Sequence, residues 1–464
     1  MTDTRFAPSP TGPLHIGGLR TALFNYLMAK KTGGKFLLRI EDTDKERSEK
    51  KWEKEIFDNL EILGLNWNNG IERQSERGES YKKYLEKLLN DRRAYYCFCT
   101  KEELDIEREE MRKQKKAPVH AGKYRDLPLK EALEKIAKGE RAVIRLKVER
   151  GKDILFKDKI RGEVKINTDD IGDFVIAKDL DNPLYNLTCV VDDSLMGIDL
   201  VIRGEEHIPN TPKQMLIAEA LNFKIPEYAH ISLILGTDKK KLSKREGSTA
   251  VSEYIKNGYL PEAIINFIAF LGWNPGGTKE IYSMQELIKD FSIEKIQKSG
   301  AVFNIEKLDW INGLYIRNMD IESLEKRCIP YLESKKGIDN KKVLAVCRDR
   351  MKKLSDIADL SDYFFNEPKY EDSLLLWKNS EKKDIMESLK TALALFEKRE
   401  DMDEASIQEE LMEKAKSAPS VGVFMWPLRV ALSGREASVG PAEIAGIIGR
   451  DETIKRIKKA IAKL

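Results

Sequence analysis

The stretch Arg5-Phe6-Ala7-Pro8-Ser9-Pro10-Thr11-Gly12-Pro13-Leu14-His15-Ile16-Gly17-Gly18 constrains the fold more than any other. Proline fixes φ and lacks an N–H, so the extended run Thr4 to Ala7 cannot continue as a paired strand through three prolines. A helical period begins at Ile16, with apolar positions at Leu19, Ala22, Leu23, Tyr26 and Leu27. The reading is strand, rigid loop, helix N-terminus. Unpaired backbone N–H groups and the positive end of the helix dipole then face whatever lies above the loop. Gly17 and Gly18 let a ligand approach the backbone, and His15 adds a donor beside them. This pattern predicts a phosphate site.

Downstream, Phe36 to Ile40 reads as a buried strand ending in Glu41-Asp42-Thr43-Asp44, and Ser48 is placed to cap a helix carrying Trp52, Ile56, Leu60 and Leu63. The alternation of strand and helix predicts a doubly wound α/β domain, whose ligands bind beyond the carboxyl ends of the strands. From Tyr81 the character changes. An amphipathic helix, the run Tyr95 to Cys99, a very polar helical stretch from Lys101 to Lys116, and strands at 142–148 and 173–178 together predict an α+β insertion over 79–185. The α/β pattern then resumes. The apolar run Tyr185–Asp193 and the strand Leu200 to Arg203 both close on polar loops, the second being Gly204-Glu205-Glu206-His207. Thr211-Pro212 opens a helix, and a strand from Ala229 to Leu235 enters the cationic loop 236–247. Helical patterns fill the rest. The expected organisation is a Rossmann-type catalytic domain (1–78 and 186–235), the insertion (79–185), a loop and helical connector (236–312), and an all-helical region (313–464) with a further division after 373 left open.

Charged residues make up 34% of the 464 residues, but the net charge is only +3, so any nucleic-acid contact has to come from local patches. Five irregularly spaced cysteines form no disulfide framework, which predicts a reducing compartment. No apolar run reaches the roughly 18 residues of a membrane span, and the first residues lack the apolar core of a signal peptide. A cytoplasmic protein without membrane contact is expected.

His15-Ile16-Gly17-Gly18 alone is a weak signal, and a charge run such as Lys241-Leu242-Ser243-Lys244-Arg245 is most often a solvated loop. Together they supply backbone donors, an imidazole, and lysines able to neutralise charge developing on a phosphate. Joined with Pro8-Ser9-Pro10-Thr11-Gly12, Arg39-Ile40-Glu41-Asp42-Thr43-Asp44 and Val190-Val191-Asp192-Asp193, they resemble the bacterial glutamyl-tRNA synthetases, class I enzymes, along the full chain. Trp426 to Gly434 is similar to that family's C-terminal segment. The resemblance implies ATP, with Mg2+ arriving on the nucleotide, at His15, Gly17, Gly18 and Lys244, and catalytic roles for His15, Lys241 and Lys244. It implies a glutamate pocket at Arg5, Ser9, Glu41, Tyr185, Arg203 and His207, RNA contacts at Arg350, Arg429 and Arg435, and a monomer. The chemistry of the residues agrees. An acidic amino acid needs cations for two carboxylates and an acceptor for its ammonium, which Arg5, Arg203 and Glu41 supply. A glutamine would leave a buried arginine poorly matched.

Whether tRNA(Glu), tRNA(Gln) or both are charged stays open in the sequence. Two rival readings are an RNA-independent adenylating enzyme of the same superfold and an RNA-binding paralogue without activity. The first leaves 313–464 without a task; intact Glu41 and Lys244 argue against the second. No metal site is expected. Some members of the family hold zinc, but here Cys97-x-Cys99 is followed by His120 and by no cysteine before Cys189, and structural zinc takes four ligands. Asp192-Asp193 and Glu205-Glu206 read as loop scaffolding, since adjacent carboxylates tend to diverge.

Overall fold

The computed structural model describes every residue except 45, 115–117, 121, 241 and 243–249. The chain forms two compact units, Met1–Tyr254 with Ile264–Asn304, and Ile255–Ala263 with Ile305–Leu464.

The first unit opens with β1 (Thr4–Phe6), α1 (Ile16–Thr32), β2 (Phe36–Ile40), α2 (Lys50–Ile62) and β3 (Glu72–Arg73). β2 is central and parallel to both neighbours, with Leu37 opposite Arg5 and Arg39 opposite Glu72. All of β2 is buried, Arg39 included, as expected of a parallel strand covered on both faces. Ser48 does not cap α2: the N-cap is Glu49, without a side-chain bond to the helix. After α3 (Gly78–Asn90) comes the α+β segment. It contains β4 (Ala94–Cys97), α4 (Lys101–Lys113), α5 (Leu129–Ala137), β5 (Val143–Leu146), β6 (Asp153–Asp158), β7 (Gly162–Asn167) and β8 (Val175–Ala177). β4, β5 and β8 form an antiparallel sheet, and β6 and β7 a hairpin. α4 buries no residue and is held by a Thr100–Glu103 capping box, so the polar stretch is a solvated helix. The hairpin was not expected. Its inward residues Ile154, Phe156 and Asp158 alternate correctly, but the last is charged and weakens the pattern.

The run Tyr185–Asp193 is not extended. It forms α6 (Tyr185–Leu195), which puts Asp192 and Asp193 on a buried helix rather than in a loop. A short apolar run fits either state, and here tertiary packing decides. β9 (Leu200–Gly204), α7 (Thr211–Leu221) and β10 (Glu227–Ile231) complete the Rossmann-like layer. β9 and β10 are parallel, with Arg203 opposite His230. The N–H groups of Asp199 and Leu200 donate to the Asp3 carbonyl at 3.0 and 3.3 Å, tying β9 to the start of β1. The strand expected from Ala229 to Leu235 breaks at Ser232. Ile234–Leu235 forms a separate β11, which pairs with β12 (Ala301–Val302).

Among the described residues the second unit is all helical from Ile305 onward. Its core holds Phe364, Leu389, Phe396, Phe424, Leu428 and Ile457. Arg456 is buried there too, donating to the carbonyls of Tyr363 and Leu432, each at 2.7 Å, and of Asn366 at 3.1 Å. Asp320, Asp339, Asp403 and Ser420 each cap a helix of this unit with a side-chain bond. Among the described residues, no helix is long and apolar enough to cross a membrane.

Candidate active site

The proline-rich loop leaves β1 and is stitched down on both sides. The Glu41 N–H donates to the Pro8 carbonyl at 2.9 Å, and the Glu49 N–H to that of Pro10 at 3.0 Å. α1 then begins, with His15 as N-cap. Its Nδ1 accepts from the Gly18 N–H at 3.0 Å, which leaves Nε2 as the ring's donor. The glycines have a local reason as well as a ligand-facing one. A Cβ on Gly17 would stand 3.0 Å from the His15 ring, and one on Gly18 3.1 Å from Leu14.

Below the loop lies an alternating set of buried charges. Asp193 accepts from Arg5 Nε and Nη2 at 3.0 and 3.3 Å and from Arg39 Nη1 at 2.5 Å. Arg39 also reaches Glu41 at 3.0 Å. Asp192 accepts from Gln74 at 2.8 Å, Arg77 at 2.7 Å and Tyr81 at 2.9 Å. Three guanidiniums thus interleave with the carboxylates of Glu41, Asp192 and Asp193. Burial pushes the Asp193 carboxyl up, but Arg5 and Arg39 outweigh it and hold the group well below its ordinary value. At Glu41 burial prevails over Arg39, so its value is raised. The sequence reading missed Arg39 and Asp193 as members of one network, because their partners lie more than 150 residues apart in the chain.

Arg203 differs. Its Nε donates to His230 Nε2 at 3.2 Å and its Nη2 to Thr211 Oγ1 at 2.8 Å, both neutral acceptors. Nη1 is buried and, among the described residues, has no hydrogen-bond partner. Among the described residues no carboxylate pairs with Arg203, while Arg5 is bidentate to Asp193. The Tyr185 hydroxyl lies 3.3 Å from His207 Nδ1. Burial, then Arg203, lowers the His207 imidazole to about 4, so it is neutral at pH 7.

These side chains surround one cavity of about 910 Å3. Arg5, Ser9, His15, Gly17, Gly18, Glu41, Tyr185, Arg203 and His207 all line it. So do Arg20 and Asn210, which the sequence reading did not single out, and Glu206, which it took for loop scaffolding. Arg20 could have been noticed as a charge inside the apolar stripe of α1. It is buried, with Nη1 3.0 Å from the Leu271 carbonyl and Nη2 bonded to that of Ser232, and burial lowers its value to about 10. Lys241 and Lys244 lie outside the described residues. Leu242, between them, lines the cavity and donates its N–H to the Ile234 carbonyl at 3.0 Å.

The three arginines expected to contact RNA belong to the second unit and are differently engaged. Arg350 is exposed in the single turn Arg348–Arg350, and among the described residues no carboxylate pairs with it. Arg429 braces a bend, donating to the carbonyls of Ser438 and Val439 at 2.6 and 3.2 Å. Arg435 is bidentate to Asp359 at 2.9 and 3.1 Å and lies 5.6 Å above the Tyr363 ring. In the α+β segment, His120, which the sequence left as a stray third donor, meets the cysteines. The ligand atoms of Cys97, Cys99 and His120 lie within 4.8 Å of one another. His120 Nε2 is 3.5 Å from Cys97 Sγ, and its Nδ1 is 2.8 Å from Glu107. Burial raises the Cys97 thiol, but His120 and the Cys99 N–H draw it down to about 7; burial and Cys97 push Cys99 up to about 12. The group offers three donors to a metal, with Glu107 behind the imidazole.

Residues 1–310 match the family described as tRNA synthetases class I (E and Q), catalytic domain, and residues 323–461 match an anticodon binding domain. A glutamate–tRNA ligase of Aquifex aeolicus is 44% identical over 471 residues, covering 99% of both chains. Glutamate–tRNA ligase 2 of Thermoanaerobacter pseudethanolicus is 43% identical over 467 residues, covering 98% of this chain and 97% of its own. The crystal structure of a glutamate–tRNA ligase from Elizabethkingia meningosepticum, in complex with its amino acid, superposes with a TM-score of 0.87 at 35% identity and 99% coverage of both chains. With matches of this extent over a site of this composition, the chain belongs to the glutamate–tRNA ligase family of class I tRNA synthetases.

Proposed function

We propose that this protein attaches L-glutamate to the 3′ end of tRNA(Glu) through a glutamyl-adenylate, using ATP with its Mg2+, as a cytoplasmic monomer. The α-carboxylate of glutamate attacks the α-phosphate and pyrophosphate leaves; the terminal ribose hydroxyl of the tRNA then displaces AMP from the mixed anhydride. No covalent enzyme intermediate is required, so the protein's contribution is positioning and charge stabilisation. His15 and the backbone at Gly17 and Gly18 take the nucleotide, with Lys241 and Lys244 acting on charge that develops at its phosphates. Glu41 accepts from the amino acid's ammonium, and Ser9, Tyr185 and His207 complete the pocket. Segment 79–185 receives the acceptor end of the tRNA, and 313–464 its anticodon through Arg350, Arg429 and Arg435. Among the described residues, Cys97, Cys99 and His120 offer three donors where a structural zinc site takes four, and the reading assigns no zinc.

The observation that carries the reading is the unequal state of two arginines on one cavity wall. Arg5 is already neutralised by Asp193, whereas among the described residues Arg203 has no carboxylate partner and keeps a spare N–H. A pocket that holds a buried cation without a partner favours an anionic side chain over its neutral amide. Arg203 is therefore the principal reader of the glutamate side-chain carboxylate, and Arg5 supports it. Replacing Arg203 by Ala should raise the KM for glutamate by on the order of 10- to 100-fold, the scale of a lost charged hydrogen bond, with the KM for ATP little changed. Unaltered glutamate kinetics would remove Arg203 from the reading.

A further inference from the structure

His230 meets the site described so far at Arg203 and at Thr211, whose Oγ1 lies 3.1 Å from His230 Nε2, and both His230 and Asp158 are almost wholly buried. Asp158 ends β6, in the α+β segment; His230 lies on β10, directly opposite Arg203 on β9. His230 Nδ1 is 2.6 Å from Asp158 Oδ2, and its backbone N–H also donates to that carboxylate at 3.1 Å. Asp158 is itself fixed by the N–H groups of Ile160 and Arg161 at 2.9 and 2.8 Å. On the other edge of the ring, Nε2 receives the Arg203 Nε–H at 3.2 Å.

An arginine Nε–H can only donate, so Nε2 must carry the lone pair and Nδ1 the proton, which points to Asp158. Burial also keeps the imidazole below its ordinary value, against the pull of Asp158. Arg203 is then held at three places: Nε by His230, Nη2 by Thr211, and the guanidinium carbon 5.6 Å above the Tyr228 ring. None of these three groups is charged.

We propose that Asp158 and His230 are positioning residues that aim Arg203 into the amino-acid pocket without cancelling its charge. A carboxylate in direct contact would orient a guanidinium equally well, but it would neutralise it, as Asp193 does Arg5. Interposing a neutral imidazole keeps the orientation and moves the negative charge one ring away. The device makes selection of an acidic amino acid depend on a residue of the α+β segment. It rests on the reading that Arg203 meets the substrate's side-chain carboxylate.

The test compares His230→Leu, His230→Gln, Asp158→Asn and Arg203→Ala in tRNA charging, with glutamate and ATP varied separately and glutamine as the competing amino acid. His230→Leu should raise the KM for glutamate about 10-fold or more, leave the KM for ATP near wild type, and weaken rejection of glutamine. His230→Gln, whose amide oxygen can still accept from Arg203, should recover most of that loss. Asp158→Asn, which keeps an acceptor for Nδ1–H, should fall between. If Arg203→Ala raises the glutamate KM while His230→Leu, folded by its melting temperature, does not, the relay is overturned and the reading of Arg203 stands. If Arg203→Ala itself is silent, the reading fails first. Equal rises for ATP and glutamate in both the His230→Gln and Asp158→Asn variants would make the pair merely structural and overturn the proposal, and those two variants keep the test available should His230→Leu not fold.

Discussion

Arg5–Asp193 in the first unit and Arg327–Glu262 in the second are the same chemical pair in two settings. Each joins a guanidinium to a carboxylate by two N–H···O bonds, at 3.0 and 3.3 Å in the first and 2.7 and 3.1 Å in the second. The first pair's side chains are 5% and 9% exposed, the second's 39% and 47%. By bond length the exposed pair is the better one. Its charges, however, are shared with water, so losing a partner strands nothing; within the buried network joining β1, β2 and α6 a lost partner leaves a charge desolvated and alone. Burial therefore sets the consequence of breaking such a pair, and geometry comes second. The first unit uses this to hold charges rigid around a cavity, while the second keeps most of its charges on the outside of an apolar helical core.

The strongest way to break the comparison is Asp193→Asn, which removes the charge that both Arg5 and Arg39 face. We expect destabilisation of about 3–5 kcal/mol, the scale for leaving a buried charge unpaired, read by urea unfolding of the purified protein. Asp193 is held below its ordinary value of 3.8 in the folded state, so its contribution is complete above that pH and is lost as the pH falls below it. The variant should accordingly lose less stability than the parent between pH 4 and lower values. A loss under about 1 kcal/mol would place this buried pair with the exposed ones.

In the cationic loop, Lys244→Ala should slow adenylate formation on the order of 100-fold, the size of one lost oxyanion-type donor, with tRNA affinity nearly intact. Pyrophosphate exchange and filter binding separate the two. Wild-type exchange would return the loop to a structural role.

What the sequence disclosed and what it withheld divide along the same line of local against distant causes. The strand, proline loop and helix start from Arg5 to Gly18 were legible because proline geometry and helical period act within a few residues. The carboxyl-end placement of Glu41, Arg203 and His207 followed from strand–helix alternation. α6 was not legible as a helix, since Leu187 to Val191 satisfies either period. Nor was the role of Asp192 and Asp193, because their partners Arg5, Arg39 and Arg77 lie far upstream and adjacent carboxylates looked like loop decoration. His120 was discounted because too few ligands could be counted beside it; its approach to Cys97 cannot be read from composition. Among the arginines, residue type could not distinguish Arg429, committed to backbone carbonyls, from exposed Arg350.

That distinction is testable in the second unit. Arg350→Gln should shift the preference between tRNA(Glu) and tRNA(Gln), whose anticodons differ at the third base, by ~1–3 kcal/mol, the usual value of a lost base-specific contact. Charging each purified tRNA measures it. Equal weakening on both would mark a phosphate contact, and no change would leave Arg350 a solvated side chain. Arg429→Gln should instead act mainly on the stability of the bend at Ser438.

The smallest effect is expected where the comparison began, at Arg327–Glu262. Single substitutions there are ambiguous. Glu262 lies in the first turn of the helix Pro261–Ala269 and Arg327 in the last turn of Ile321–Cys328, so each also complements a helix dipole. A double-mutant cycle with Glu262→Gln, Arg327→Gln and the combined variant removes those separate terms and leaves the coupling between the two side chains. For a pair this exposed the coupling should be ~0.2–1 kcal/mol, shrinking as salt is raised because the charges are screened. The bidentate geometry places it toward the upper end. A coupling of about 3 kcal/mol, the range of buried pairs, would mean that two well-aligned bonds suffice without burial. The difference between the two units would then lie in geometry, and the value expected for Asp193→Asn would need another explanation.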